Sequence, residues 1–209
     1  MDGRRARSER TRGRLVEAAL EIIVREGAAA VTQRKVAAAA GTSLASTTYH
    51  FRTADDLVVA AFAESARRTA EQFTAMAIAI LTGEKDLIDG ATEFVARAPY
   101  DPDLPSDAIP QLVAGAAHNE RLRAICDDFY TGMAATFAPL TTPPEAAPTV
   151  ARSITGLLMH ELARGTKRPT PQLRDDVVQL FAAFGITQRV AELTRSLPGE
   201  EHHDDHHNP

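Results

Sequence analysis

The stretch Thr32-Gln33-Arg34-Lys35-Val36-Ala37-Ala38-Ala39-Ala40-Gly41-Thr42-Ser43-Leu44-Ala45-Ser46-Thr47-Thr48-Tyr49-His50-Phe51 decides the fold of this chain. It predicts two short helices joined by a tight turn at Gly41. Thr32 and Ser43 stand at the two helix starts, where a short hydroxyl side chain satisfies backbone N–H groups that have no partner within the helix. Gly41 accepts the backbone of a sharp turn without a Cβ penalty. Val36, Ala37 and Ala40 are small and apolar, so the two helices can cross closely. The second helix carries hydroxyls and a methyl group and ends in an aromatic–basic pair. Two helices so joined describe a helix-turn-helix reader of the DNA major groove.

The flanks extend the pattern. A helix over 8–26 is predicted from Leu15, Ala18, Ala19, Ile22 and Ile23, with Gly27 as its stop. Thr53 caps a fourth helix, with Asp56 in a capping-box position, running through Leu57, Phe62, Ala66 and Phe73 toward Leu81. Further helices are expected over 86–98, 111–117, 120–138, 149–164 and 171–197, the last bent near Gly185. Proline-rich stretches at 99–110 and 141–148 separate them. No convincing alternating strand and no internal repeat occurs. The expected fold is all-α, with a DNA-binding domain over 1–52 that includes a basic N-terminal arm, a larger helical domain over 53–199 and a disordered tail over 200–209.

Composition agrees with a helical, folded chain: 44% of residues are hydrophobic, only 5% are aromatic and Trp is absent. No signal-peptide pattern and no apolar run of about 18 residues stands out, so a cytoplasmic protein without a membrane partner is expected. The single cysteine, Cys126, reads as a buried reduced thiol. Net charge is −5, but it is divided unevenly. Residues 1–52 hold ten Lys/Arg against five Asp/Glu, whereas residues 53–209 hold thirteen against twenty-three. A basic head on an acidic body places a nucleic-acid face at one end.

Within the head, the candidate DNA contacts are Thr32, Gln33, Arg34, Ser43, Leu44, Ala45, Ser46, Thr48, Tyr49, His50 and Arg52. Hydroxyls can pair with base edges, Ala45 or a threonine methyl can meet a thymine methyl, and Arg34 can reach guanine or phosphate. Arg4, Arg5, Arg7, Arg10, Arg12 and Arg14 supply phosphate and minor-groove contacts from the arm.

Residues 10–62 resemble the DNA-binding domain of the TetR family of bacterial transcriptional regulators. The matching residues are Leu15, Ala18, Ile22, Gly27, Thr32, Val36, Ala37, Ala40, Gly41, Ser43, His50, Phe51 and Leu57. The sequence departs from the family at Thr42 and Thr47, where aliphatic residues are usual, at Thr48, where tyrosine is common, and at Ala54, which lacks a frequent lysine. These departures are read as changes to the DNA-reading surface, with Arg52 taking over the phosphate contact of the missing lysine.

The resemblance implies a ligand-responsive regulator, most often a repressor, that binds a palindromic double-stranded DNA operator as a homodimer and is released by a small-molecule effector. The helical body then serves ligand binding and dimerisation. The expected dimer surface comprises Ile154, Leu157, Leu158, Leu162, Val177, Leu180, Phe181 and Phe184, with Gly156 allowing close approach. The candidate effector pocket comprises Phe62, Phe94, Leu112, Phe129, Met133, Phe137 and Met159, with His118, Tyr130, His160 and Glu161 as polar anchors. The acidic body favours a neutral or cationic ligand. The alternative is a helical DNA-binding regulator controlled by a protein partner or by its own abundance.

An enzyme is the distant alternative. Asp86/Asp89 and Asp127/Asp128 establish no catalytic pair, Cys126 has no evident activating partner, and no phosphate-binding glycine loop occurs. No cofactor is expected. His202, His203, His206 and His207 with Asp204 and Asp205 lie in a terminal run without fixed geometry, so no metal site is assigned to them.

Overall fold

The computed structural model describes residues 2–97, 108–164 and 170–196. Among the described residues there are ten α-helices, three short 3-10 turns and no strand. The helices are α1 (Asp2–Glu26), α2 (Gln33–Ala39), α3 (Leu44–His50), α4 (Ala54–Leu81), α5 (Leu87–Arg97), α6 (Ala108–Ala116), α7 (Glu120–Phe137), α8 (Ala147–Arg164), α9 (Thr170–Ala183) and α10 (Ile186–Ser196).

Each head helix starts and stops where the sequence supplies the chemistry. The Thr32 hydroxyl accepts from the Lys35 N–H at 3.2 Å, and the Ser43 hydroxyl accepts from the Ser46 N–H at 3.0 Å. Gly41 has φ +60°; its N–H donates to Ala38 O (3.2 Å) and the Thr42 N–H to Ala37 O (2.9 Å). Those crossed bonds close the end of α2 and turn the chain directly into α3. Thr53 and Asp56 form the full reciprocal capping box at 3.1 and 3.0 Å.

One continuous core links head and body. Leu15, Ala19 and Ile23 of α1 are buried with Leu57, Ala61 and Phe62 of α4, along which α1 packs. Further along, Phe73 and Ile80 of the same α4 enter the core of the body with α5 and α7. At 28 residues α4 is the longest helix described, and it belongs to both halves.

Four expectations need correction. First, α1 begins at Asp2, not near Ser8, so much of the basic arm is helical. An Arg5–Glu9 pair at 3.3 Å, one helical turn apart, supports this extension. Second, α6 begins at Ala108 and takes in Pro110, whose missing N–H costs nothing in a first turn. Third, α8 begins at Ala147 and includes Pro148 in the same way. Fourth, the segment over 171–197 is broken, not bent. Gly185 adopts φ +66° between α9 and α10, and the Phe184 carbonyl accepts from the Thr142 N–H at 2.9 Å. The expected tail over 200–209, with its histidines, and most of the proline-rich stretch 99–110 lie outside the described residues.

A Cβ on residue 185 would lie 3.1 Å from the Thr142 Cβ, in a backbone region that L side chains rarely adopt. Gly185→Ala is therefore expected to destabilise the fold by about 1–2 kcal/mol. Gly132→Ala, in the interior of α7 with nothing within 4 Å, should stabilise it by about 0.5–1 kcal/mol. Urea denaturation of both variants tests this; equal midpoints would contradict the assigned role of Gly185.

Candidate nucleic-acid interface and body cavity

The outward strip of α3 is formed by Leu44, Ala45, Thr48 and Tyr49, spaced so that they share one face. Leu44 is 41% exposed and Tyr49 82% exposed, unusual values for large side chains with apolar character. The Thr48 hydroxyl donates to Leu44 O at 2.9 Å, so it faces outward as an acceptor beside its own methyl. Tyr49 packs edge-on against His50, with ring centroids 5.1 Å apart. Arg34, in the first turn of α2, and Arg52, just after α3, are exposed.

Other candidate contacts already hold the unit together. Thr32 and Ser43 spend their hydroxyl acceptors on the caps of α2 and α3. The Gln33 amide nitrogen donates to Phe51 O at 2.8 Å, fixing the start of α2 to the end of α3. Arg12 places its guanidinium 5.2 Å from the Phe51 ring centroid, so the arm helix is held to the same point.

Thr42 and Thr47 do not belong to the reading surface. Thr47 is fully buried, and its hydroxyl donates to Ser43 O at 3.1 Å. The Thr42 hydroxyl lies 3.3 Å away, so it can donate its own proton to Thr47. Two hydroxyls that satisfy one another occupy the space of an aliphatic pair between the helices. The departures at these positions are internal packing.

The head is tied to the body by polar contacts that sequence reasoning missed. The Gln111 amide at the start of α6 donates to Ile23 O at 3.0 Å and accepts from the Ala28 N–H at 3.1 Å. It thus grips the end of α1. Arg121 of α7 reaches Asp55 at 3.0 Å and Asp56 at 2.9 Å, at the start of α4. Asn119 caps α7 and donates to Asp55 at 3.2 Å. Hydrogen bonds from Thr53 and Arg121 hold the Asp56 carboxyl below the usual carboxylate range. Only the Asn119 cap carried a local sequence signal, a short polar side chain just before the helix.

Between α4 and α1, Arg68 pairs with Glu17; within α4, Arg68 also pairs with Glu64, and Arg67 with Glu64 and Glu71. The Arg67 hydrogen bond is the main cause that holds the Glu64 carboxyl down at about 2, from an ordinary 4.5.

In the body, a cavity of about 40 Å³ lies among α4, α5, α7, α8, α9 and α10. Phe73, Met76, Ala77 and Ile80 of α4 face Leu87, Ala91, Phe94 and Val95 of α5, with Thr136, Phe137, Leu140, Ile154, Phe181 and Ile186 completing the wall. The Phe73 ring lies 4.5 Å from Phe94 and 6.3 Å from Phe137, centroid to centroid. A smaller space of about 10 Å³ lies beside Thr69, Ile109, Phe129 and Met159.

A sequence profile described as bacterial regulatory proteins, tetR family, matches residues 15–61, which span α1, α2, α3 and the start of α4. That segment thus matches the DNA-binding part of the TetR family of bacterial transcriptional regulators. Solved TetR-like structures extend the likeness over the body. The multidrug binding protein EbrR complexed with imidazole is 27% identical, covering 81% of this chain and 93% of its own, with a TM-score of 0.66. EbrR complexed with ethidium gives 26% identity, 81% and 98% coverage and a TM-score of 0.65. A TetR-family member from Streptomyces coelicolor A3 (SCO1917) is 26% identical, with 81% and 97% coverage and a TM-score of 0.69. No curated protein matches the chain by sequence. Among the described residues, no helix is long and apolar enough to cross a membrane.

In the body, the expected pocket residues separate. Phe94 and Phe137 line the cavity, whereas Phe129 and Met159 line the smaller space. Phe62, Leu112 and Met133 are packed into the core and line neither. His118 and His160 are exposed, so neither is an anchor inside the cavity, and half-buried Tyr130 does not line it. Burial raises the Cys126 thiol above its ordinary range, which keeps it protonated and unreactive.

The expected dimer stripe also divides. Ile154, Leu158, Val177 and Phe181 are buried within the protomer and unavailable to a partner. Leu157, Leu162, Leu180 and Phe184 remain partly exposed. An apolar stripe in sequence marks the buried side of a helix, whatever covers it.

Because Glu64 titrates below its unfolded value, its contribution to stability is complete above about pH 4.5 and is lost as the pH falls toward 2. Solvent screening keeps that contribution modest. The stability gap between wild type and Glu64→Gln should shrink across that window, as read by thermal unfolding at several pH values. A gap that stays constant down to pH 2 would remove Glu64 from the acid response.

Proposed function

We propose that this TetR-family regulator is a ligand-responsive repressor that binds a palindromic operator as a homodimer and leaves it when a small molecule occupies the body. The observation that carries this reading is the double membership of α4. Its first turn is bound to Arg121 beside the head, and its later turns form one wall of the cavity. EbrR, whose fold this body resembles, is solved with imidazole and with ethidium, which supports a ligand-binding body here.

The proposed DNA contacts are the α3 strip Leu44, Ala45, Thr48 and Tyr49, flanked by Ser46, His50, Arg34 and Arg52. Thr32, Gln33 and Ser43 act there by shaping the unit, with their remaining polar atoms and backbone N–H groups toward phosphate. The arm arginines add sequence-independent phosphate contacts along α1. Dimerisation is proposed through the outward face of α8 around Gly156, Leu157 and His160, together with Val178 of α9, which is 37% exposed. A Cβ on Gly156 would meet nothing within 4 Å, so a partner helix can approach closely there. The proposed division keeps 1–52 as the reading domain and 53–199 as the sensing and dimerisation domain.

Anisotropy titrations on duplexes from the protein's own promoter region test the reading face. Tyr49→Ala should weaken specific binding by about 1–3 kcal/mol and leave random duplexes almost unaffected. Arg4, Arg5 and Arg7 changed together to Ala should weaken all duplexes and flatten the salt slope by about 0.9 per lost contact. Equal loss on both duplexes for Tyr49→Ala would move sequence reading elsewhere. In sedimentation, Val178→Glu should shift a dimer toward monomer and lower operator affinity; an unchanged dimer would exclude this face.

A further inference from the structure

Resting on the proposal that the body senses a ligand, we infer the chemical class of that ligand: a small, uncharged, apolar molecule the size of a single aromatic ring. Among the described residues, the cavity wall contains no ionisable side chain. Its one polar side chain, Thr136, donates its hydroxyl proton to Gly132 O at 3.2 Å. A ligand inside therefore meets no side-chain donor and no countercharge. Placing an unpaired ion there costs far more than apolar contact returns, whichever sign the ion carries. Among the described residues, none of the body's acidic side chains reaches the wall.

Size points the same way. A dry apolar cavity of about 150 Å³ is the scale that accepts benzene, and this one measures about 40 Å³. One side chain's worth of movement brings it to ring size, while a polycyclic dye would require the wall to be rebuilt. The groups able to yield are Met76, with a flexible thioether, and Phe73, which meets Phe94 at a tilt and Phe137 edge-on and can exchange one aromatic neighbour for another. Both are on α4. Gly90 of α5 faces Met76, where a Cβ would come within 3.3 Å of its sulfur, so that side chain has little slack toward α5. Occupancy thus displaces α4, the helix whose first turn Arg121 holds beside the head.

The experiment compares toluene, benzoate and benzylammonium, three probes with one ring and three charge states, titrated into the full-length protein. Methyl NMR of Ile80, Ile154 and Ile186 and thermal unfolding provide the readouts. Toluene is expected to saturate at one site per protomer, shift those methyl signals and raise Tm, while both ions at equal concentration do neither. Ala91→Leu, which fills the cavity, should weaken toluene at least tenfold. If that variant does not fold, the methyl shifts of the wild type decide alone. Benzoate or benzylammonium binding as well as toluene, or toluene that leaves the three methyls unmoved, would overturn the assignment. Toluene that binds there without changing operator affinity would uphold the ligand class and overturn the sensing function instead.

Discussion

Asp55 and Asp56 each serve two structures. Asp56 closes the capping box that starts α4, and with Asp55 it receives Arg121 from α7. The cap is worth on the order of 1 kcal/mol, and exposed ion pairs of this kind usually contribute less than that. The joint is thus strong enough to set where α4 begins and weak enough to be rearranged. A coupling of about 1–3 kcal/mol, the usual scale for allosteric proteins, is comparable with the whole of it. Gln111 secures the other side by holding the end of α1, so the head is supported at two separate points.

Much of this architecture was legible because its determinants are local. Thr32, Ser43 and Thr53 cap the helices they precede, and Gly27 and Gly41 turn the chain where their positive φ is needed. Such features depend on a few neighbouring residues. The break at Gly185 was half legible: a glycine in a helical stretch permits several outcomes, and the distant Thr142 selects this one. Gln111 was not legible at all, since its partners Ile23 and Ala28 lie more than eighty residues away and any long polar side chain would have read alike. The apolar faces of α8 and α9 failed for another reason. A stripe announces that a side is covered, but the same residues serve equally for a core or a partner.

Thr42 and Thr47 show how a motif comparison can misplace a difference. Both lie within the reading motif, yet their hydroxyls face one another between α2 and α3. A mutually satisfied hydroxyl pair is nearly neutral where a single buried one is costly. Each threonine makes sense only with the other present. What is individual about the proposed reading face lies instead in Leu44, Thr48 and Tyr49.

The helical arm has one more consequence. Peptide dipoles leave the N-terminal end of α1 partly positive, yet Arg4 and Arg5 occupy its first turn. Glu9 pairs with Arg5 one turn further along. A phosphate group answers the dipole and the arginines together. On the proposed reading, DNA does more than attract this helix: it supplies the anion that lets its first turn settle.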